Sequence, residues 1–284
     1  MTSQPSRRGT PEPPDPLPIP VVDNHTHLDI SREGTAVAVE DLGPVLAAAA
    51  AVGVDRVVQI GCDPEGNEFA VAAAQAHPSV LAGVAIHPNE VPGLVASGGY
   101  EGAFARVAEL VEHPRVRVVG ETGLDFYRTG PDGHAAQEES FRRHIDLAKR
   151  SGSVLQIHDR DAHEDVLRVL AEEGAPEHTV MHCFSGDLDV ARECVRRGYV
   201  LSFSGTVTFK SSGGLRDALA VTPLDQVLVE TDAPYLTPHP WRGASNSPVL
   251  VPLTVRAMAA TLGVAVPTLC DAVSATSERL YGPW

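Results

Sequence analysis

Eight short runs of β-branched and aliphatic residues recur along this chain, separated by longer helical patterns. The runs lie near Val21 to Asp23, Val54 to Ile60, Leu81 to Ile86, Val116 to Gly120, Val154 to Ile157, Thr179 to Met181, Tyr199 to Phe203 and Gln226 to Glu230. Between them, stretches such as Glu40 to Ala51, Ala103 to Glu112, Gln137 to Arg150 and Asp187 to Arg197 place apolar residues every three or four positions. That is the period of a helix with one buried face. Strands that alternate with helices are joined by crossovers and build a parallel sheet, whereas a sandwich would show strand after strand. Eight βα units close a TIM-like (β/α)8 barrel, and 284 residues with 43% hydrophobic content can fill one. Two further helical patterns, Leu250 to Leu262 and Pro267 to Leu280, are expected to pack outside the barrel. Prolines at 11, 13, 14, 16, 18 and 20 prevent helix formation ahead of the first run. Residues 1–20 are therefore expected to be a disordered, Pro-rich tail, and 21–284 the barrel domain.

Charge and cysteine content narrow the function classes. The formal net charge of -15 provides no basic footprint for clamping long duplex nucleic acid, so any contact with phosphate must be local. Cys62, Cys183, Cys194 and Cys270 form no C-x-x-C pair and are too sparse for a disulfide framework, and they read as buried small hydrophobes in a reducing compartment. No apolar run approaches the roughly 20 residues of a membrane span. Arg7 and Arg8 are followed by prolines, where a twin-arginine signal needs an apolar stretch. A cytoplasmic monomer with no membrane association is expected.

The chemistry sits at the ends of the strand runs. Val21 to His27 ends in two histidines one residue apart, which in extended backbone point to the same side and can grip one ion. Glu121 follows the fourth run, His158 the fifth, His182 the sixth and Asp232 the eighth. In a barrel these C-terminal ends open onto one face, where catalytic groups belong. Four His, one Glu and one Asp form a nitrogen and oxygen set suited to Zn²⁺, Mn²⁺ or a partly hydrated Mg²⁺. Six ligands exceed the three that a single catalytic zinc takes beside its open position, so they divide between two divalent ions sharing a bridging carboxylate. Glu121 is the candidate bridge. Lys149 and Lys210, the only lysines, do not stand at the end of the fourth run.

The segments Asp23 to Asp29, Gly120 to Phe126, His182 to Gly186 and Glu230 to Leu236 closely resemble the TatD family of metal-dependent deoxyribonucleases, within the amidohydrolase superfamily. Ile86-His87-Pro88 and Arg242 to Asn246 extend the resemblance, which spans Val21 to Asn246. It departs at Thr122, where the family usually has Ile, and at Asp159, where Ser or Thr is usual. It implies that His25, His27, Glu121 and Asp232 hold one metal and that Glu121, His158 and His182 hold the other. It also implies a deoxyribonuclease acting through a water activated by two metals, with Glu121 and Asp232 as catalytic residues and Asp232 accepting the water's proton.

Substrate contacts are expected from Arg242 and Arg160, which can bind phosphate bidentately, and from His87 at the end of the third run. Asp125, Tyr127 and Lys210 are weaker candidates, and His113, His134, His144, His163 and His178 read as surface residues. There is no H-E-x-x-H, G-x-S-x-G or P-loop. The expected partner is DNA, touched locally, with single strands or 3′ ends favoured by the acidity. Two rivals remain open: hydrolysis of a small amide, lactone or cyclic imide, and a non-catalytic accessory or quality-control role on the same barrel.

Overall fold

The computed structural model describes residues 11–31 and 37–284. Eight strands, β1 (Val21–Thr26), β2 (Val54–Ile60), β3 (Val80–Val84), β4 (Val116–Asp125), β5 (Val154–Arg160), β6 (Thr179–Met181), β7 (Val200–Phe203) and β8 (Val227–Val229), pair in chain order. Each sequential pair is parallel. Past the end of β8 the chain returns to β1: the Asp232 amide donates to the His25 carbonyl (3.0 Å) and the His27 amide to the Ala233 carbonyl (2.9 Å). The result is a nearly closed TIM-like barrel. The helices are α1 (Leu42–Ala51), α2 (Pro64–Ala76), α3 (Val91–Ser97), α4 (Tyr100–Val111), α5 (Pro131–Ser151), α6 (His163–Glu173), α7 (Leu188–Arg196), α8 (Gly213–Val221), α9 (Val251–Leu262) and α10 (Val266–Tyr281).

Strands packed on both faces read as continuous Val, Leu and Ile because neither face meets water. Alternate residues divide into two clusters. Val22, Val58, Leu81, Val118, Val154, Val180, Val200 and Leu228 fill the barrel interior. Their neighbours, including Val21, Val57, Ala82, Val119, Leu155, Met181, Leu201 and Val227, meet the helices. Leu280 and Tyr281, at the end of α10, join the interior cluster. The Tyr281 hydroxyl donates to Asn24 Oδ1 (3.1 Å) and accepts from Gln156 Nε2 (2.9 Å), so the last helix is tied to the strands that carry the site. Among the described residues no single helix is long and apolar enough to cross a membrane.

Two local expectations need correcting. Residues 11–20 were expected to be disordered, but here Leu17 is buried and its amide donates to the Val52 carbonyl (3.0 Å), while Arg256 donates to the carbonyls of Asp15 and Pro16. Prolines forbid a helix there but not an extended run whose apolar side chains reach the core. Residues 1–10 lie outside the described residues. His144, expected at the surface, is fully buried on the inner face of α5, spaced as a helix requires from Gln137, Ser140, Phe141 and Ala148. Its Nδ1 donates to the Ser140 carbonyl (2.7 Å) and its Nε2 accepts from the Ile86 amide (3.2 Å).

Candidate metal centre

On β1, His25 and His27 are two residues apart and present their rings to the same side, with their Nε2 atoms 3.2 Å apart. What lies behind each ring fixes its tautomer. His25 Nδ1 faces the Gln156 amide oxygen at 2.7 Å, and His27 Nδ1 faces the Ile60 carbonyl at 3.0 Å. Gln156 is itself oriented, because its Nε2 donates to the Asn24 carbonyl (2.9 Å). Both acceptors require a proton on Nδ1, which leaves two buried Nε2 lone pairs facing each other. A proton on one of them, or a metal ion between them, reconciles the pair. Asp232 Oδ1 lies 3.4 Å from His27 Nε2 and 4.0 Å from His25 Nε2, and Glu121 Oε1 lies 3.5 and 3.8 Å from the same atoms. A four-coordinate ion with ligands at about 2.1 Å holds its donors roughly 3.4 Å apart, so the donor set fits one divalent ion.

The other oxygen of Glu121 faces a second group. Glu121 Oε2 lies 3.0 Å from His158 Nδ1, 3.1 Å from His182 Nε2 and 3.8 Å from His87 Nε2. The outward nitrogens again face carboxylates: His158 Nε2 is hydrogen-bonded to Asp125 Oδ2 (3.2 Å), and His182 Nδ1 is ion-paired with Glu230 Oε1 at 3.0 Å without hydrogen-bond geometry. Asp125 takes further hydrogen bonds from Asn89 Nδ2 and the Arg128 amide, and Glu230 takes one from the Ser202 hydroxyl. Such partners orient a ligating imidazole and raise its basicity. One carboxylate thus offers one oxygen to each set.

Backbone packing delivers these groups. A Cβ on Gly120 would stand 2.7 Å from the Gln156 backbone oxygen, and one on Gly123 (φ +140°) would stand 2.1 Å from the His158 carbonyl. Only glycine lets β4 lie this close to β5, setting Glu121 beside His158. Asp232 occupies the left-handed region at φ +54°, uncommon for a residue with a Cβ, and is held there by the closure bonds to β1. Just ahead of it, the buried Asp23 carboxylate accepts from the Thr231 amide (2.8 Å) and hydroxyl (2.6 Å). Burial pushes the Asp23 carboxyl up to about 7.

The electrostatics suit a cation. Burial opposes ionisation of Glu121, but His87, His182 and His158 outweigh it and hold the carboxyl well below its usual range. At Asp232 burial is likewise outweighed by the hydrogen bond from His27 and by the charges of His182, His27 and His25. Burial also works against protonated His158, yet Asp125 and Glu121 raise it to about 9. Protons on these imidazoles stand where metal ions would take their place.

A family model described as TatD related DNase matches residues 22–282. The chain belongs to the TatD family. It is 45% identical to the uncharacterized metal-dependent hydrolase TatD of Mycobacterium tuberculosis, across 92% of this chain and 98% of that protein. It is 35% identical to the uncharacterized metal-dependent hydrolase YabD of Bacillus subtilis, across 91% of this chain and 98% of that one. Among solved structures it resembles YJJV, a TatD homolog from Escherichia coli, with 25% identity, a TM-score of 0.79 and coverage of 92% and 97% of the two chains. It is a metal-dependent hydrolase of the TatD family, with a His, Glu and Asp cluster able to bind metal.

This TatD-family structure brings His25, His27, Glu121, His158, His182 and Asp232 together, and His87 joins them. Arg160 and Arg242 stand outside the cluster, each over an aromatic ring: Arg160 over Tyr127 (3.9 Å to the centroid) and Arg242 over Phe209 (4.5 Å). Cys62, read from sequence as a buried hydrophobe, is half-buried and donates from Sγ to Glu121 Oε1 (3.4 Å). Sequence reasoning also missed Gln156 and Glu230. For Gln156 the signal was present, because it stands two residues before His158 on β5 and a period of two puts both on one side; Glu230 lies past the end of β8, where that period no longer holds.

Proposed function

We propose that this chain is a deoxyribonuclease that hydrolyses phosphodiester bonds near the ends of single-stranded DNA, using two divalent ions of Mg²⁺, Mn²⁺ or Zn²⁺. The observation that carries the reading is Glu121, whose Oε1 faces the His25, His27 and Asp232 group while Oε2 faces His158 and His182. His25, His27, Asp232 and Glu121 would hold one ion, and Glu121, His158 and His182 the other. The pair supplies a water activated at neutral pH and charge to steady the transferring phosphoryl group. Asp232, kept ionised by its histidine neighbours, accepts the proton of the attacking water.

Phosphate binding draws on the rim. Among the described residues Arg160, Arg242 and Lys210 have no carboxylate partner, although most other arginines here are paired. A cavity of about 240 Å³ is lined by Phe209, Lys210, Ser211, His239 and Arg242, on loops that follow β7 and β8 and so lie at the same barrel face as the ligands. A planar guanidinium and an ammonium without acid partners suit a phosphate. The four free thiols fit a reducing compartment, the cytoplasm.

The test is turnover titrated with each metal on single-stranded oligonucleotides, duplex DNA and a panel of lactones and amides. Hydrolysis of oligonucleotides with an Arg242→Ala variant of raised KM and unchanged metal content supports the reading. Lactone or amide hydrolysis without phosphodiester cleavage overturns it. Crystals soaked in Mn²⁺ should show two anomalous peaks about 3.5 to 4 Å apart beside Glu121, and a single peak at saturation would refute the two-ion site.

A further inference from the structure

Four large apolar side chains are exposed among the described residues, and the two aromatic ones both stand on loops beside the metal centre. Tyr127 is 63% exposed and follows β4, two residues after the Asp125 that holds His158. Tyr235 is 45% exposed and follows β8, three residues after Asp232, in a turn closed by its amide donating to the Asp232 carbonyl (2.8 Å). Chain length alone keeps the Tyr127 Cα within about 7 Å of that of Asp125, and the Tyr235 Cα within about 11 Å of that of Asp232. An exposed ring costs hydration free energy, and elsewhere on this protein rings are covered: Phe104 and Tyr100 pack together, and His134 stacks on Phe126.

The two rims differ in how they are prepared. Arg160, two residues after His158 on β5, stands over one face of Tyr127 with its guanidinium carbon 3.9 Å from the ring centroid, and so restricts the ring before anything binds. Its guanidinium, which lacks an acid partner among the described residues, sets a positive charge behind the ring and leaves the other face open. Tyr235 meets no other ring or guanidinium among the described residues, but its backbone is pinned, because Asn246 Nδ2 donates to the Tyr235 carbonyl (2.7 Å). Aromatic faces next to unpaired cations are what a single strand requires: bases stack on rings whatever their identity, while the phosphate between them meets the charge. A duplex hides those base faces within its own stack. The geometry points to Tyr127 and Tyr235 as shelves on which two unpaired bases of the substrate stack, one on either side of the scissile phosphate. This rests on the nuclease reading and specifies what that site accepts: a strand with at least two splayed bases.

The experiment pairs kinetics with a binding signal. Tyr127→Leu and Tyr235→Leu are each expected to raise KM for a short deoxyoligonucleotide about tenfold, the size of one lost base stack, with kcat within about twofold of wild type. Tyr127→Phe and Tyr235→Phe, which keep the ring, should restore most of that loss. On an oligonucleotide with abasic sites flanking the scissile bond, the Leu variants and wild type should share one high KM. Separately, 2-aminopurine at either flanking position should be quenched on binding wild type and less so on binding the Leu variants. Equal KM increases on intact and abasic strands, or unchanged quenching in the Leu variants, overturn the shelves while leaving the nuclease reading standing. Quenching that is lost in the Leu variants, without any DNA cleavage by wild type, overturns the nuclease reading and leaves the two rings as base-stacking sites with no scissile phosphate between them.

Discussion

At Asp232 the proposed function gives a single carboxylate two tasks that can be separated. Its Oδ1 stands 3.4 Å from His27 Nε2 and 4.0 Å from His25 Nε2, and those histidines, with His182, outweigh burial and keep it ionised. An Asn in its place retains one oxygen that can ligate but loses the basic site. Asp232→Asn should therefore lower metal occupancy modestly while kcat falls by roughly 10² or more. Turnover per bound metal pair, with metal counted by elemental analysis, is the measurement; wild-type turnover in a fully loaded variant would leave Asp232 a ligand only. The convergence of the six candidate residues was legible in the sequence because each is a metal-binding residue type closing a strand run. Their supports were not: Gln156 is an ordinary glutamine until the fold sets its oxygen 2.7 Å from His25 Nδ1. Cys62 was misread for the same reason, since only packing shows that its thiol meets Glu121 rather than a hydrocarbon neighbour.

The order and type of the elements could be read from hydrophobic periodicity, and β2 and β6 match the expected runs to the residue. Periodicity fails where a strand continues into polar residues: β4 runs on to Asp125 and β5 to Arg160, because candidate ligands and their supports occupy the last positions. It also undervalued α5, whose inner face contains a buried histidine. Burial holds the His144 imidazole down at about 4, against 6.5 when free. With the folded value below the unfolded one, the unfolded chain takes up the proton first as pH falls. His144 thus contributes stability that is intact above pH 6.5 and lost progressively towards pH 4, about 2 kcal/mol of it by pH 5. Urea unfolding of the chelator-treated protein should show wild type losing this amount between pH 7 and 5 relative to His144→Gln, which has no proton to gain. Parallel pH curves for the two proteins would show that His144 is not a source of the slope.

The whole molecule carries a net charge of -15, yet the proposed substrate is a polyanion. The two are compatible if few phosphates approach, because phosphates held near the rim meet local cations while distant ones feel the negative field. Much of the arginine charge is neutralised within the surface: Arg106 pairs with Glu68, Arg142 with Glu138 and Glu172, Arg143 with Glu101 and Arg196 with Glu193. Arg160, Lys210 and Arg242 are left at the mouth without acid partners among the described residues, enough for two or three phosphates. Counterion release then sets the salt dependence, since each neutralised phosphate of a single strand contributes about -0.7 to the slope of log K against log salt. Three such contacts give a slope near -2, which can be measured by fluorescence anisotropy of a labelled oligonucleotide between about 50 and 200 mM salt. Lengthening the strand beyond the few nucleotides that reach the rim should leave this slope unchanged, and repulsion from the acidic body should make long duplex bind more weakly at low salt than at moderate salt. A slope that steepens steadily with strand length would require a continuous cationic track along the surface, and the local mode of binding would have to be abandoned.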